Sequence, residues 1–195
     1  MTEIDPLYRI FMPHEDPMVV ARVASVLAIF PKDSLQRIAA MGVRIRILAA
    51  EQRYDEVSST LRAAGDALDR WPVLPSGLFV PSERTVYLRS LACRTITHEF
   101  GHVYDFLFGN GVYLSSYDLA VQTAFATAQR FVTPYAAVRI DEYFAEAVRA
   151  FFGGKLEVSG QRRVTRRHLR ACDPRLERIL ADLFSAENAT PLKKY

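Results

Sequence analysis

Thr97-His98-Glu99-Phe100-Gly101-His102-Val103-Tyr104-Asp105 is the stretch on which the rest of the sequence turns. In a helix of about 3.6 residues per turn, His98 and His102 fall one above the other on a single face. Glu99 lies on the flank of that face, within reach of a water held by a metal on the two imidazoles. Two neutral imidazole ligands, an open position for water and a carboxylate to take its proton are what a metal-activated hydrolase requires.

Upstream of this stretch, Leu78-Phe79-Val80 and Thr85-Val86-Tyr87-Leu88-Arg89 read as short strands around the turn Pro81-Ser82-Glu83-Arg84. Val43 to Leu48 alternates apolar and basic residues, the period of a half-exposed strand. Before it, Asp16-Pro17 opens a helix that ends ahead of Pro31 and is apolar at Val19, Val20, Val23, Val26, Leu27 and Phe30. Asp33 is the expected cap of a second helix reaching Met41, with Gly42 as its stop. Residues 51–70 are ambiguous, and the prolines of Trp71 to Gly77 make a loop.

Downstream, the histidine helix stops at Gly109-Asn110-Gly111, and Ser115 or Ser116 is the expected cap of the next helix. Further helices are expected from Asp141 to Phe152, closed by Gly153-Gly154, and from Pro174 to Phe184. Helices, a small sheet, then helices make an α+β fold with the histidine helix directly after the strands. Residues 1–42 form an N-terminal helical part and 43–195 a catalytic part, together one compact domain.

Half of the 195 residues are hydrophobic and 24% are charged, which excludes a disordered chain and supports a real core. Cys93 and Cys172 are too few for a disulfide framework and are expected as free thiols. The N-terminus has no signal-peptide pattern: Glu3 and Asp5 come first, and Arg22 interrupts an apolar run too short to span a bilayer. The compartment stays open between cytoplasmic and exported by a route that leaves no signal, and no membrane partner is expected. The net charge of +3 is mild. The basic stretch Gln161 to Arg170 lacks interleaved aromatics and a recognition fold, so it is expected as a solvated face and no nucleic acid partner is implied. Docking of an acidic protein substrate there is the second reading.

Two histidines do not hold a catalytic metal alone. His14 and His168 lie in segments without metal spacing. Asp141-Glu142-Tyr143-Phe144-Ala145-Glu146-Ala147-Val148 offers carboxylates instead. Glu142 and Glu146 share a helix face among apolar neighbours, and inward carboxylates need a cation or hydrogen bonds. One would ligate the metal and the other would accept the free ring N–H of a ligand histidine. Spacing does not say which does which.

These motifs together resemble a known family. His98-Glu99-Phe100-Gly101-His102-x-x-Asp105, followed by Glu142-Tyr143-Phe144-Ala145-Glu146-Ala147, is similar to the protease domain of anthrax lethal factor and its relatives, which include the bacterial Pro-Pro endopeptidases. Gly77-Leu78-Phe79-Val80-Pro81 and Thr85-Val86-Tyr87-Leu88 resemble that family's strand pair, and the likeness covers about residues 43–184. Tyr143 stands where phenylalanine is usual and Val148 where an aromatic is common. The first forty residues carry no likeness.

The resemblance implies a zincin-like fold with one Zn2+ per chain on His98, His102 and Glu142. It implies Glu99 as general base and Glu146 as the carboxylate supporting a ligand histidine. Tyr135, seven residues before Glu142, matches a family tyrosine that assists catalysis. The expected function is a zinc-dependent endopeptidase, a glutamate-zincin, in which Glu99 activates a zinc-bound water and a protein or peptide is the substrate. The substrate is expected to lie extended along Thr85, Val86, Tyr87 and Leu88, adding a strand at a free sheet edge. The protein is expected to be a monomer. The alternatives are a zincin-fold binding or regulatory protein and an intracellular aminopeptidase-like regulator.

Overall fold

The computed structural model describes residues 10–12, 16–64, 74–153 and 164–189. The expectations for His14, for residues 65–73, and for Gly154, Arg162 and Arg163 lie outside the described residues.

Helix α1 spans Pro17–Leu27, with the Asp16 side chain accepting from the Met18 N–H at 2.7 Å. Helix α2 spans Lys32–Ala40. Its N-cap is Pro31, not the expected Asp33, which sits inside the first turn. Proline's fixed φ starts the helix two residues earlier, and Asp33 then faces the positive end of the helix dipole. Gly42, at φ 80°, reverses the chain into strand β1, Arg44–Ile47. The ambiguous segment forms two short helices, α3 (Tyr54–Val57) and α4 (Ser59–Ala63).

Strands β2 (Gly77–Val80) and β3 (Thr85–Leu88) flank the Pro81–Glu83 turn. The sheet order is β1-β3-β2, with β1 parallel and β2 antiparallel to β3. All four residues of β3 are buried. Val86 and Leu88 join the main core, while Tyr87 packs with Leu48, Tyr54 and Val80 on the sheet's other face. This overturns the expectation of a free edge along Thr85, Val86, Tyr87 and Leu88. Their backbone is paired to Arg44–Ile47 on one side and Gly77–Val80 on the other. On the outer side of β1, Phe11 bridges Ile45. Among the described residues no strand pairs with the outer side of β2.

The β2–β3 turn is fastened by one carboxylate. Glu83 Oε1 accepts from Ser58 Oγ and Ser59 Oγ at 3.0 Å and from the Thr60 N–H at 2.8 Å, and Tyr87 donates to Oε2 at 2.6 Å.

Five helices follow: α5 (Cys93–Phe108), α6 (Leu119–Thr127), α7 (Ile140–Phe152), α8 (Arg166–Cys172) and α9 (Pro174–Ala189). Helix α5 buries Ile96, Phe100, Val103, Tyr104 and Leu107, a helical-period stripe. Each wholly buried ring such as Phe100 or Phe144 contributes about 2–3 kcal/mol. The cap of α6 is Asp118, whose side chain accepts from the Ala120 and Val121 N–H groups. Ser115 is engaged elsewhere, its N–H and hydroxyl both donating to buried Asp105.

Helix α8, absent from the expected elements, is capped by the Thr165 side chain. Arg166 and Arg170 both bind Glu177 of α9, at 2.6 and 2.9 Å, and Arg166 also lies over the Phe151 ring. These two arginines hold helices together, which weakens the docking reading of the basic stretch. Phe30, Tyr104, Phe152 and Phe184 meet ring to ring, so the N-terminal helices and the rest of the chain share one core. Cys93 and Cys172 are both free thiols. Among the described residues no helix is long and apolar enough to cross a membrane.

Candidate metal centre

Helix α5 presents His98 and His102 on one face, their rings 4.9 Å apart and nearly perpendicular. Helix α7 crosses directly behind them because Gly101 has no side chain. A Cβ there would stand 2.5 Å from the Ala145 carbonyl oxygen and 2.6 Å from its Cα. That approach brings Glu142 Oε2 to 3.1 Å from His98 Nε2 and 3.4 Å from His102 Nε2. One ligand atom from each of the three residues lies within 4.8 Å of the others.

One turn along α7, Glu146 Oε1 lies 2.8 Å from His98 Nδ1. The Arg149 guanidinium forks onto the same carboxylate at 2.9 and 2.5 Å, and Thr133 Oγ donates to Oε2 at 2.7 Å. A carboxylate so engaged stays ionised, so it accepts and His98 Nδ1 carries the proton. In the neutral imidazole, Nε2 then presents its lone pair to Glu142 Oε2. Two acceptors at that distance repel, so the 3.1 Å approach requires a proton or a metal ion between them.

The buried atoms agree with this. Among the described residues Glu142 Oε2 makes no well-formed hydrogen bond despite its two close nitrogens, and His102 Nδ1 finds no partner. Burial opposes charge on His98, yet the Glu142 and Glu146 carboxylates outweigh it and push its pKa up to about 10. Burial likewise opposes charge on Glu142, but the two histidines hold its pKa far below the ordinary carboxylate range. Each partner is shifted toward the charged form because imidazoles and carboxylates lie in contact. Two imidazoles and one carboxylate are also a donor set suited to zinc. The residues present therefore fit a divalent metal.

Glu99 is buried beneath the start of β2, and burial raises its pKa. Gly77 makes room for it: a Cβ there would stand 2.7 Å from Glu99 Cγ and 2.9 Å from Oε1. Tyr135 is half exposed, its ring 5.5 Å from that of His98, and its hydroxyl donates to Glu142 Oε1 at 3.0 Å. Burial and the Glu142 charge raise its pKa, so the phenol remains a proton donor. A cleft of about 240 Å³ opens among Ser76, Gly77, His98, Glu99, Tyr135 and Glu146. A larger cavity of about 810 Å³ lies between α6 and α9, remote from these groups and lined by no such ligand set.

The structure thus brings His98, Glu99, His102, Tyr135, Glu142 and Glu146 together, and it places Thr85–Leu88 inside the sheet, away from any open edge. Arg149, Thr133 and Tyr113 were not anticipated. Arg149 stands three residues after Glu146, a spacing that puts them on one helix face and could have been read. Tyr113, whose ring lies 5.9 Å from that of His102, follows an irregular loop and has no such signal.

The arrangement of these elements is similar to that of a solved enzyme structure, the Pro-Pro endopeptidase PPEP-2 from Paenibacillus alvei. The TM-score is 0.62 at 20% sequence identity, over 91% of this chain and 99% of that one. The likeness is one of fold. No protein-family model and no curated protein sequence matches the chain.

Proposed function

We propose that this chain is a zinc-dependent endopeptidase with His98, His102 and Glu142 as metal ligands. The observation that carries the proposal is the convergence of those three donors beside Glu99, with Glu142 Oε2 buried against the Nε2 atoms of both histidines. The fold likeness to a protein titled a Pro-Pro endopeptidase supports a peptide as the substrate class. When bound, zinc supplies Lewis acidity that makes water nucleophilic near pH ~7 and offsets negative charge at the scissile carbonyl.

In this mechanism Glu99 takes the proton of the attacking water and passes it to the leaving amine. Its burial suits it to that exchange, because a raised pKa makes a stronger base. The Tyr135 hydroxyl, held over His98, donates to the oxygen that becomes negative as the carbonyl turns tetrahedral. Glu146 fixes the His98 tautomer, and Arg149 keeps Glu146 ionised. The outer side of β2, which begins at Gly77 against Glu99 and pairs with no strand among the described residues, is where an extended peptide would pair. An aminopeptidase needs a carboxylate to hold the substrate's free amine. Glu146 is already bonded by His98, Arg149 and Thr133.

The test is cleavage of an internally randomised peptide library, blocked at its N-terminus, by zinc-loaded protein. Cleavage that a chelator removes and zinc restores is the expected result. Cleavage confined to unblocked peptides contradicts the endopeptidase assignment.

A further inference from the structure

The turn that carries Tyr135 is exposed, yet it meets α7 at two carboxylates four residues apart. Tyr135 donates to Glu142. Two residues earlier, the Thr133 hydroxyl donates to Glu146 Oε2 at 2.7 Å and accepts from the Ala136 N–H at 3.2 Å. A single hydroxyl therefore joins the carboxylate that orients His98 to the backbone of the turn that presents Tyr135. Pro134, between them, fixes its own φ and leaves little slack.

We propose that Thr133 is a positioning residue that sets the Tyr135 phenol in register with the metal centre. The inference rests on the peptidase assignment for its kinetic consequence, but its structural consequence does not. The hydroxyl has one proton to give and lone pairs to receive with, and the geometry uses both capacities at once. Valine keeps the shape of threonine and loses both bonds; serine keeps both bonds and loses a methyl. The buried Ala136 side chain is the competing anchor of the turn. If it suffices, the hydroxyl is dispensable.

The experiment compares Thr133→Val and Thr133→Ser in the full chain. Hydrogen exchange at the Ala136, Ala137 and Val138 amides is read in the zinc-free and zinc-loaded protein. Thr133→Val is expected to accelerate exchange across that turn, and Thr133→Ser to leave it as in the wild type. Zinc affinity, by chelator competition, is expected to fall about tenfold in the valine variant, the usual effect of removing a partner of a ligand histidine's support. With a cleaved peptide in hand, kcat should fall about tenfold in the valine variant while KM changes little, and Tyr135→Phe should abolish most of that difference. Unchanged amide exchange in Thr133→Val overturns the inference whether or not the chain proves to be a peptidase. So does a valine effect on kcat that is equally large in the Tyr135→Phe background. Absence of peptide cleavage in the wild type, with accelerated exchange in the valine variant, would count against the peptidase assignment alone.

Discussion

Gly101 and Ala145 touch backbone to backbone where α5 crosses α7, and this contact sets the distance between the histidine pair and Glu142. A methyl on Gly101 has nowhere to go, because the atoms it would meet belong to the main chain of α7. Gly101→Ala is expected to destabilise the metal-free protein by about 1–3 kcal/mol, the usual penalty of overpacking. It should also weaken zinc binding, since α7 must move outward carrying Glu142. Urea unfolding and chelator competition on the same variant measure the two effects.

Gly77 makes the corresponding close approach to Glu99. Here the neighbour is a side chain, so Gly77→Ala should displace the Glu99 carboxylate and leave the zinc ligands in place. Zinc content should remain one per chain while kcat falls on the order of tenfold to a hundredfold, the scale of a misplaced catalytic group. Steady-state kinetics alongside metal analysis separate this from simple misfolding.

Arg149 supports His98 at one remove. Arg149→Met leaves Glu146 facing His98 without its counter-charge, and zinc affinity is expected to fall about 10–100-fold. Arg149→Lys should recover part of the loss by restoring charge without the two-pronged contact. Equal affinities in all three proteins would show that Glu146 needs no such partner.

Glu83 makes an acid-dependent contribution to the fold. Burial tends to raise its pKa, but hydrogen bonds from Tyr87, Thr60, Ser58 and Ser59 dominate and lower it from 4.5 to about 2. A depressed folded-state value means that the contribution is complete above pH 4.5 and fades as the pH falls toward about 2. Glu83→Gln is therefore expected to be less stable than the wild type at neutral pH and to lose less further stability across that window. Urea midpoints measured from pH 7 down to pH 2.5 or so give the comparison.

The histidine helix was legible because its information is one-dimensional. Spacings of four residues put His98 with His102 and Glu142 with Glu146, and no tertiary knowledge is needed to see either pair. Gly101 could be read in the same way, as a small residue at a helix crossing. The position of β3 could not. Adjacent strands on a hairpin say nothing about the far side of either one, and β1 joins the sheet from about forty residues upstream in parallel with β3. That remote pairing puts β3 in the middle of the sheet and leaves the outer side of β2 unpaired among the described residues. The cap of α6 was misassigned because Ser115 and Asp118 are both good capping residues, and only the buried Asp105 decides between them. Helix α8 was hidden by its own composition: in seven residues, three arginines outweigh the single buried Leu169. Thr133 and Tyr113 act across loops, where no period exists to be read.

In the proposed mechanism Glu99 moves the proton while the histidines and Glu142 hold the metal. The measurement that tests it most directly is the Glu99→Gln variant, loaded with zinc and assayed on a peptide that the wild type cleaves. Glutamine has the same shape and cannot accept the proton. The account predicts one zinc per chain in both proteins and a loss of at least about a thousandfold in kcat for the variant, within the range for removing a general base. Full zinc occupancy with cleavage at the wild-type rate would contradict it.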